Sequence, residues 1–104
     1  MLSQSKRDVE LFNLGRKLFK QGKFGEAEQA FRQSVKQREK VLGTKHMDTF
    51  GSKYWLAFAL DEQRKRGEAE HLFRQLVQQQ EKALGAEHAY TLESKHCLGR
   101  TLFE

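Results

Sequence analysis

Apolar residues recur at spacings of three and four along almost the whole chain, which is the signature of amphipathic helices. From about Ser5 to Gln21 the stripe is Val9, Leu11, Phe12, Leu14, Leu18 and Phe19. Gln21-Gly22-Lys23 interrupts it. A second stripe from about Gly25 to Leu42 carries Ala27, Ala30, Phe31, Ser34 and Val41. Glu26 and Glu28 suit its positive N-terminal end, and Lys36, Arg38 and Lys40 its C-terminal end. Gly43 fits a left-handed helix-closing residue. A third helix is predicted from His46 or Met47 to about Arg64. A fourth holds Ala69, Leu72, Phe73, Leu76, Val77 and Ala83 before Gly85, and a fifth, from near His88, holds Leu92, Leu98 and Leu102. Links of two to five residues require consecutive helices to pack antiparallel.

The pattern repeats. Gly25-Glu26-Ala27-Glu28 returns as Gly67-Glu68-Ala69-Glu70, and Phe31-Arg32-Gln33 as Phe73-Arg74-Gln75. His46, Thr49 and Ser52-Lys53 return as His88, Thr91 and Ser94-Lys95. Residues 1–62 laid over 43–104 without a gap match at 24 positions, a period of 42. A fixed period of this length marks stacked repeats, each burying its apolar face against the next. The expected division is 1–43, 44–85 and a half repeat or capping helix over 86–104.

Composition agrees with a helical domain: proline is absent, and Lys, Gln, Glu, Leu and Arg are abundant. The lone Cys97 has no partner for an internal disulfide. The longest apolar run, Tyr54 to Leu60, is far short of the roughly 20 residues that span a bilayer. The first eight residues lack the apolar core of a signal peptide, so a cytoplasmic location is expected. Residues 1–40 carry ten Lys or Arg against five acids, and residues 41–104 carry nine of each, so the net +5 lies in the first repeat. That excess reads as a solvated helix surface or as a basic patch for an acidic partner or nucleic acid. No Arg-Gly tract or aromatic RNA-binding signature accompanies it.

Residue by residue, the helix pair resembles the tetratricopeptide repeat. Leu14-Gly15 and Leu18 match its first helix, Gly22 and Phe24 the turn, and Ala27 and Phe31 its second helix, with Ser34 where alanine is usual. Leu56-Ala57, Leu60, Ala69 and Phe73 match in the second copy, where Arg64 and Arg66 replace the turn glycine and aromatic; the third copy offers Leu98-Gly99 and Leu102. The small residues Gly15, Ala57 and Gly99 would let a neighbouring backbone approach, and Phe31 and Phe73 would fill the space between repeats. The period exceeds the usual ~34 residues. It is similar to the subclass found in kinesin light chains, nephrocystin-like proteins and nucleotide-binding receptor tails, whose link resembles Leu-Gly-x-x-His-Pro-Asp-Thr-Leu. Here the link reads Leu42-Gly43-Thr44-Lys45-His46-Met47-Asp48-Thr49-Phe50, and its second copy likewise lacks the proline.

The resemblance implies an all-α superhelix of antiparallel helix pairs, about two and a half repeats in five helices. It also implies a concave groove, lined by the first helix of each repeat, that binds a peptide or helix of another protein. By position the lining would be Val9, Phe12, Arg16, Phe19 and Lys20, then Gly51, Tyr54, Phe58, Asp61 and Glu62, then Glu93, His96, Arg100, Phe103 and Glu104. The expected contact residues are Phe12, Arg16, Phe19, Lys20, Tyr54, Phe58, His96 and Arg100, suited to aliphatic or acidic side chains; Phe12, Phe19, Tyr54 and Phe58 also sit on apolar helix stripes, where a plain core role is the alternative. The family's lysine-and-asparagine clamp for chaperone C-termini is absent, because its positions read Phe12, Arg16, Trp55, Glu93 and Cys97.

Catalytic readings fare poorly. His46 and His88 recur at the repeat period, as helix-start or inter-repeat hydrogen bonds would. His71 falls on the polar side of its helix. His96 and Cys97 are adjacent, hence on different helical faces, and no second cysteine gives a zinc spacing. No phosphate-binding glycine loop is present. The chain is therefore read as a non-enzymatic interaction module without cofactor or metal, a piece of a larger protein. The alternatives are a self-assembling oligomerisation module, through exposed apolar residues on the end helices, or nucleic-acid binding by the basic first repeat.

Overall fold

Five α-helices run in sequence: α1 (Leu2–Lys20), α2 (Phe24–Leu42), α3 (Met47–Glu62), α4 (Arg66–Leu84) and α5 (Ala89–Phe103). The computed structural model describes residues 2–103, with side chains described from Arg7 onward. Each helix packs on the next in the chain, and α1 also touches α3. The short links make neighbours antiparallel, so α1, α3 and α5 form one layer and α2 and α4 the other. The molecule measures 39 × 31 × 18 Å, and its thin dimension is about two helix diameters.

The helix ends show how the sequence enforces this. Gly43 and Gly85 close α2 and α4 at φ 94° and 99°, with extended ψ of 165° and 155°. This is a glycine-only region, more demanding than the left-handed cap expected from the sequence. At the tight turns Gly22 has φ 78° and its repeat-two counterpart Arg64 has φ 63°. Arg64 thus holds a conformation that costs an L-residue on the order of 1 kcal/mol, and it ends α3 two residues earlier than the periodicity suggested. Without proline, the start of α3 is set by His46, whose Nδ1 accepts the backbone N–H of Asp48 at 3.0 Å. His88 does the same for Tyr90 at 3.1 Å. The recurrent histidines are N-caps, and the accepting nitrogen must be unprotonated to serve.

Two apolar clusters share Leu72. One holds Ala27, Phe31, Leu56, Ala59, Leu60 and Ala69; the other holds Phe50, Ala57, Phe73, Leu76 and Cys97. Phe31 and Phe73 occupy matching buried sites, each contributing about 1.5–3 kcal/mol by removal from water. Several stripe residues are instead outside. Val9, Leu14 and Val41 are about half exposed, as are Leu92 and Leu102 on the outer side of α5. The role expected of Gly15 is also modified. What its missing Cβ admits is the Phe31 ring, which would stand 2.6 Å from that atom, whereas Gly99 faces open space.

Polar groups stitch the layers. Lys53 reaches Glu39 at 3.1 Å, and its copy Lys95 reaches Glu81 at 3.2 Å. Among the described residues, a second network exists only at the first repeat boundary. Arg38 Nε donates to Asp8 Oδ2 at 2.7 Å, and its NH1 donates to the Asp48 carbonyl at 2.7 Å and to Ser52 Oγ at 3.1 Å. Ser34 Oγ donates to Asp8 Oδ1, and the guanidinium lies 4.5 Å from the centre of the Phe12 ring. Arg38 was expected on a solvated helix end. It is buried instead, because a carboxylate of α1 and a carbonyl and a hydroxyl of α3 converge on it.

Candidate functional site

The α1/α3 side carries a continuous aromatic strip. Phe12 meets Phe31 edge-on at 6.0 Å, Phe31 stacks on Trp55 at 6.0 Å, and Phe19 meets Trp55 edge-on at 5.3 Å. Trp55 in turn contacts Phe58 at 6.0 Å, and Phe58 contacts Tyr54 at 4.7 Å. Phe12, Phe19, Tyr54, Trp55 and Phe58 are each partly exposed while packed on the cores, so one side of every ring is anchored and the other is open. Over this strip the exposed Arg16 guanidinium lies 5.6 Å from the Trp55 ring and 6.0 Å from the Phe12 ring. Among the described residues Arg16 has no carboxylate partner, so ring faces alone hold its charge in place. Asn13, Arg16, Lys17, Lys20 and Gln21 border a shallow basic hollow at this end.

At the other end Tyr54 joins α3 to α5. Its hydroxyl donates to Glu93 Oε1 at 2.7 Å and lies 3.3 Å from Cys97 Sγ. Burial, reinforced by these bonds to the neutral phenol, pushes the Tyr54 hydroxyl far above its ordinary value. Burial likewise pushes the Cys97 thiol up, which keeps it protonated and a poor nucleophile. Next to this junction a hollow of about 320 Å³ opens between the N-terminal halves of α3 and α5, over Gln80 of α4.

The residues expected to line a groove are distributed as follows. Phe12, Arg16, Phe19, Tyr54 and Phe58 come together in the strip, and Lys20 shares the basic hollow with Arg16. Gly51 and Glu93 border the α3/α5 hollow. His96 and Arg100 are exposed on α5, with Arg100 near enough to act electrostatically on Cys97. Phe103 is 92% exposed, and Glu104 lies outside the described residues. Trp55 was not among the expected contact residues, although it is the ring that joins the α1 aromatics to those of α3. The signal available for it was a single tryptophan flanked by Tyr54 and Phe58 on a first helix. No group of three or more His, Cys, Asp or Glu suited to a metal ion occurs among the described residues.

The tetratricopeptide repeat family model matches residues 13–48 and 56–90. The chain is similar to a solved structure described as kinesin light chain nearly identical TPR-like repeats, from Podosopora anserina. The two superpose with a TM-score of 0.79 at 31% identity, covering 89% of this chain and 44% of that one. A single-substitution variant of that protein gives a TM-score of 0.81 at 30% identity, covering 91% of this chain and 45% of the other. This chain thus spans less than half the length of the solved proteins it matches. No curated protein sequence matches it.

Proposed function

The chain belongs to the tetratricopeptide repeat family, and from that premise we propose that its α1/α3/α5 face binds a peptide of another protein. Tetratricopeptide repeats are generally protein–protein interaction modules, and kinesin-light-chain-like repeats are typically non-enzymatic scaffolds. The observation that carries the reading is Arg16, held by two aromatic faces with its charge available, at the head of partly exposed rings. Aromatic and arginine side chains supply most of the binding energy at protein interfaces, because they bury much area with few rotors to freeze. A bound strand would lay apolar side chains on Phe19, Trp55 and Phe58 and an acidic group against Arg16 and Lys20. The basic excess of the first repeat supports that end. Arg38 is committed internally and Arg32 pairs with Glu28 and Glu68, while Arg16, Lys17 and Lys20 remain exposed. Selection of peptides from a random displayed library tests the site. Arg16→Glu with Lys20→Glu should weaken the selected peptides at least tenfold without loss of helicity. Undiminished binding would move the site off this face.

Self-association is a second reading, favoured by Leu92, Leu102 and Phe103, which together leave the outer side of α5 apolar and exposed. Their joint replacement by glutamate should convert an oligomer to monomer in sedimentation equilibrium. A wild-type chain that sediments as a 12.2 kDa monomer at high micromolar concentration rules this reading out.

A further inference from the structure

We infer that the hollow between α3 and α5 receives an arginine side chain from a peptide partner. This deepens the peptide-binding reading and rests on it.

The argument comes from comparing the two repeat boundaries. At the first, Arg38 fills the space between α1 and α3. Its guanidinium lies on the Phe12 ring and donates to Asp8, to Ser52 Oγ and to the Asp48 carbonyl. Forty-two residues later the same positions read Gln80 for Arg38, Tyr54 for Phe12, Ser94 for Ser52, Tyr90 for Asp48 and Phe50 for Asp8. The aromatic platform, the hydroxyl and the backbone position are retained, but the arginine is gone. Gln80 is shorter and leaves the 320 Å³ hollow where its counterpart's space is filled.

The polar groups left behind are acceptors in want of a donor. Gln80 Oε1 and Ser94 Oγ are buried, border the hollow and have no hydrogen-bond partner. Burying such atoms unpaired costs about 1–3 kcal/mol each, so the site gains from any group that brings them N–H donors. The charge around the hollow points the same way. Asp48 and Glu93 stand at its exposed mouth, and no Lys or Arg lines it. Glu93 engages Tyr54 through one oxygen, which leaves the other for an incoming cation. Buried acceptors, an aromatic platform and rim carboxylates together suit a flat, five-donor guanidinium on an apolar stem better than a compact ammonium.

The test uses the isotope-labelled 104-residue chain, titrated with N-acetyl-arginine-N-methylamide and, in parallel, its citrulline and lysine counterparts, with amide NMR as readout. The arginine probe is expected to shift the Gln80 side-chain amide and the Tyr90 and Ser94 backbone amides. Both other probes should bind on the order of tenfold more weakly, citrulline for want of charge and lysine for want of the planar fork. Gln80→Arg places the repeat-one occupant in the hollow and should abolish the shifts. Ser94→Ala, which removes only an unpaired hydroxyl and leaves the fold intact, should weaken the probe roughly fivefold. Equal binding of arginine and citrulline, shifts scattered over surface carboxylates, or indifference to Ser94→Ala would overturn the assignment. The two readings fail separately. Library peptides that need Arg16 but tolerate arginine-to-citrulline exchange and Gln80→Arg overturn the arginine site and leave the groove standing. Arginine-dependent shifts at Gln80 without Arg16-dependent peptide binding support the site and remove the groove.

Discussion

Two glycines at equivalent positions separate packing from propensity at the level of single residues. A Cβ on Gly15 would meet three atoms of the Phe31 ring at 2.6–2.9 Å. That ring is fully buried between Phe12 and Trp55 and has no space to retreat into. Gly15→Ala should therefore destabilise by about 1–3 kcal/mol, through overpacking that outweighs the helix gain. At Gly99 the same Cβ meets nothing within 4 Å. Gly99→Ala should stabilise by about 0.5–1 kcal/mol, the plain propensity difference. Denaturant midpoints of both variants check the contrast, and equal effects would contradict this packing of Phe31. A family-like pattern of small residues gave no hint of the difference, since both positions read as glycine on a first helix.

At the scale of elements, Glu28 shows how one side chain ties α2 to the α3–α4 turn. It accepts from Arg32 at 2.8 Å, from Gln63 at 2.9 Å and from Lys65 at 3.1 Å. Burial alone would raise its pKa, but the three donors together outweigh that and hold the carboxyl below its ordinary value. A depressed folded pKa stabilises the fold above the unfolded value, and that stability is lost as pH falls through the folded one. Glu28→Gln should thus cost about 1–2 kcal/mol at neutral pH, discounted for the partly exposed donors Arg32 and Lys65. The difference from wild type should shrink as pH falls below the ordinary carboxylate range and through the depressed folded pKa. Among the described residues its repeat-two copy Glu70 bonds only Arg74 one turn away, so Glu70→Gln should cost under about 0.5 kcal/mol at neutral pH. Urea titrations of the two variants at several pH values distinguish them. A pH-independent cost at Glu28 would mean that the hydrogen bonds do not favour its ionised form.

On the scale of the whole molecule, contacts run almost entirely between successive helices, and Leu72 links the two apolar clusters. Stability of such an array is a sum of local terms plus nearest-neighbour interfaces. Phe31 and Phe73 are the large side chains at those interfaces, and alanine at either should cost about 3–5 kcal/mol. Small domains have only about 5–15 kcal/mol in total, so either variant should lose most of its cooperative thermal transition. The two substitutions also differ in what surrounds them. Phe31 lies beside the Asp8–Arg38 network, whereas Phe73 lies beside a boundary with unpaired Gln80 Oε1 and Ser94 Oγ. The Phe73 variant should be the less stable in calorimetry. A loss under about 1 kcal/mol for both would contradict their role as interface anchors.

Residue pattern alone determined the helix count, the 42-residue period, the antiparallel order and the equivalence of Phe31 with Phe73. These follow from local spacing and repetition, which a single chain displays directly. The identity of most strip residues was also legible, because Phe12, Arg16, Phe19, Tyr54 and Phe58 fall on first helices at family positions. What only the tertiary structure decided is which side of each stripe faces a neighbour, and which polar groups meet. Asp8 and Arg38 lie 30 residues apart and carry no periodic mark, since their copies are Phe50 and Gln80. Only packing makes Arg38 buried and leaves Gln80 Oε1 without a donor. Helical periodicity assigns a residue to a face of its own helix. The partner across the interface is set by how α1, α3 and α5 align, and that alignment is a property of the assembled layers.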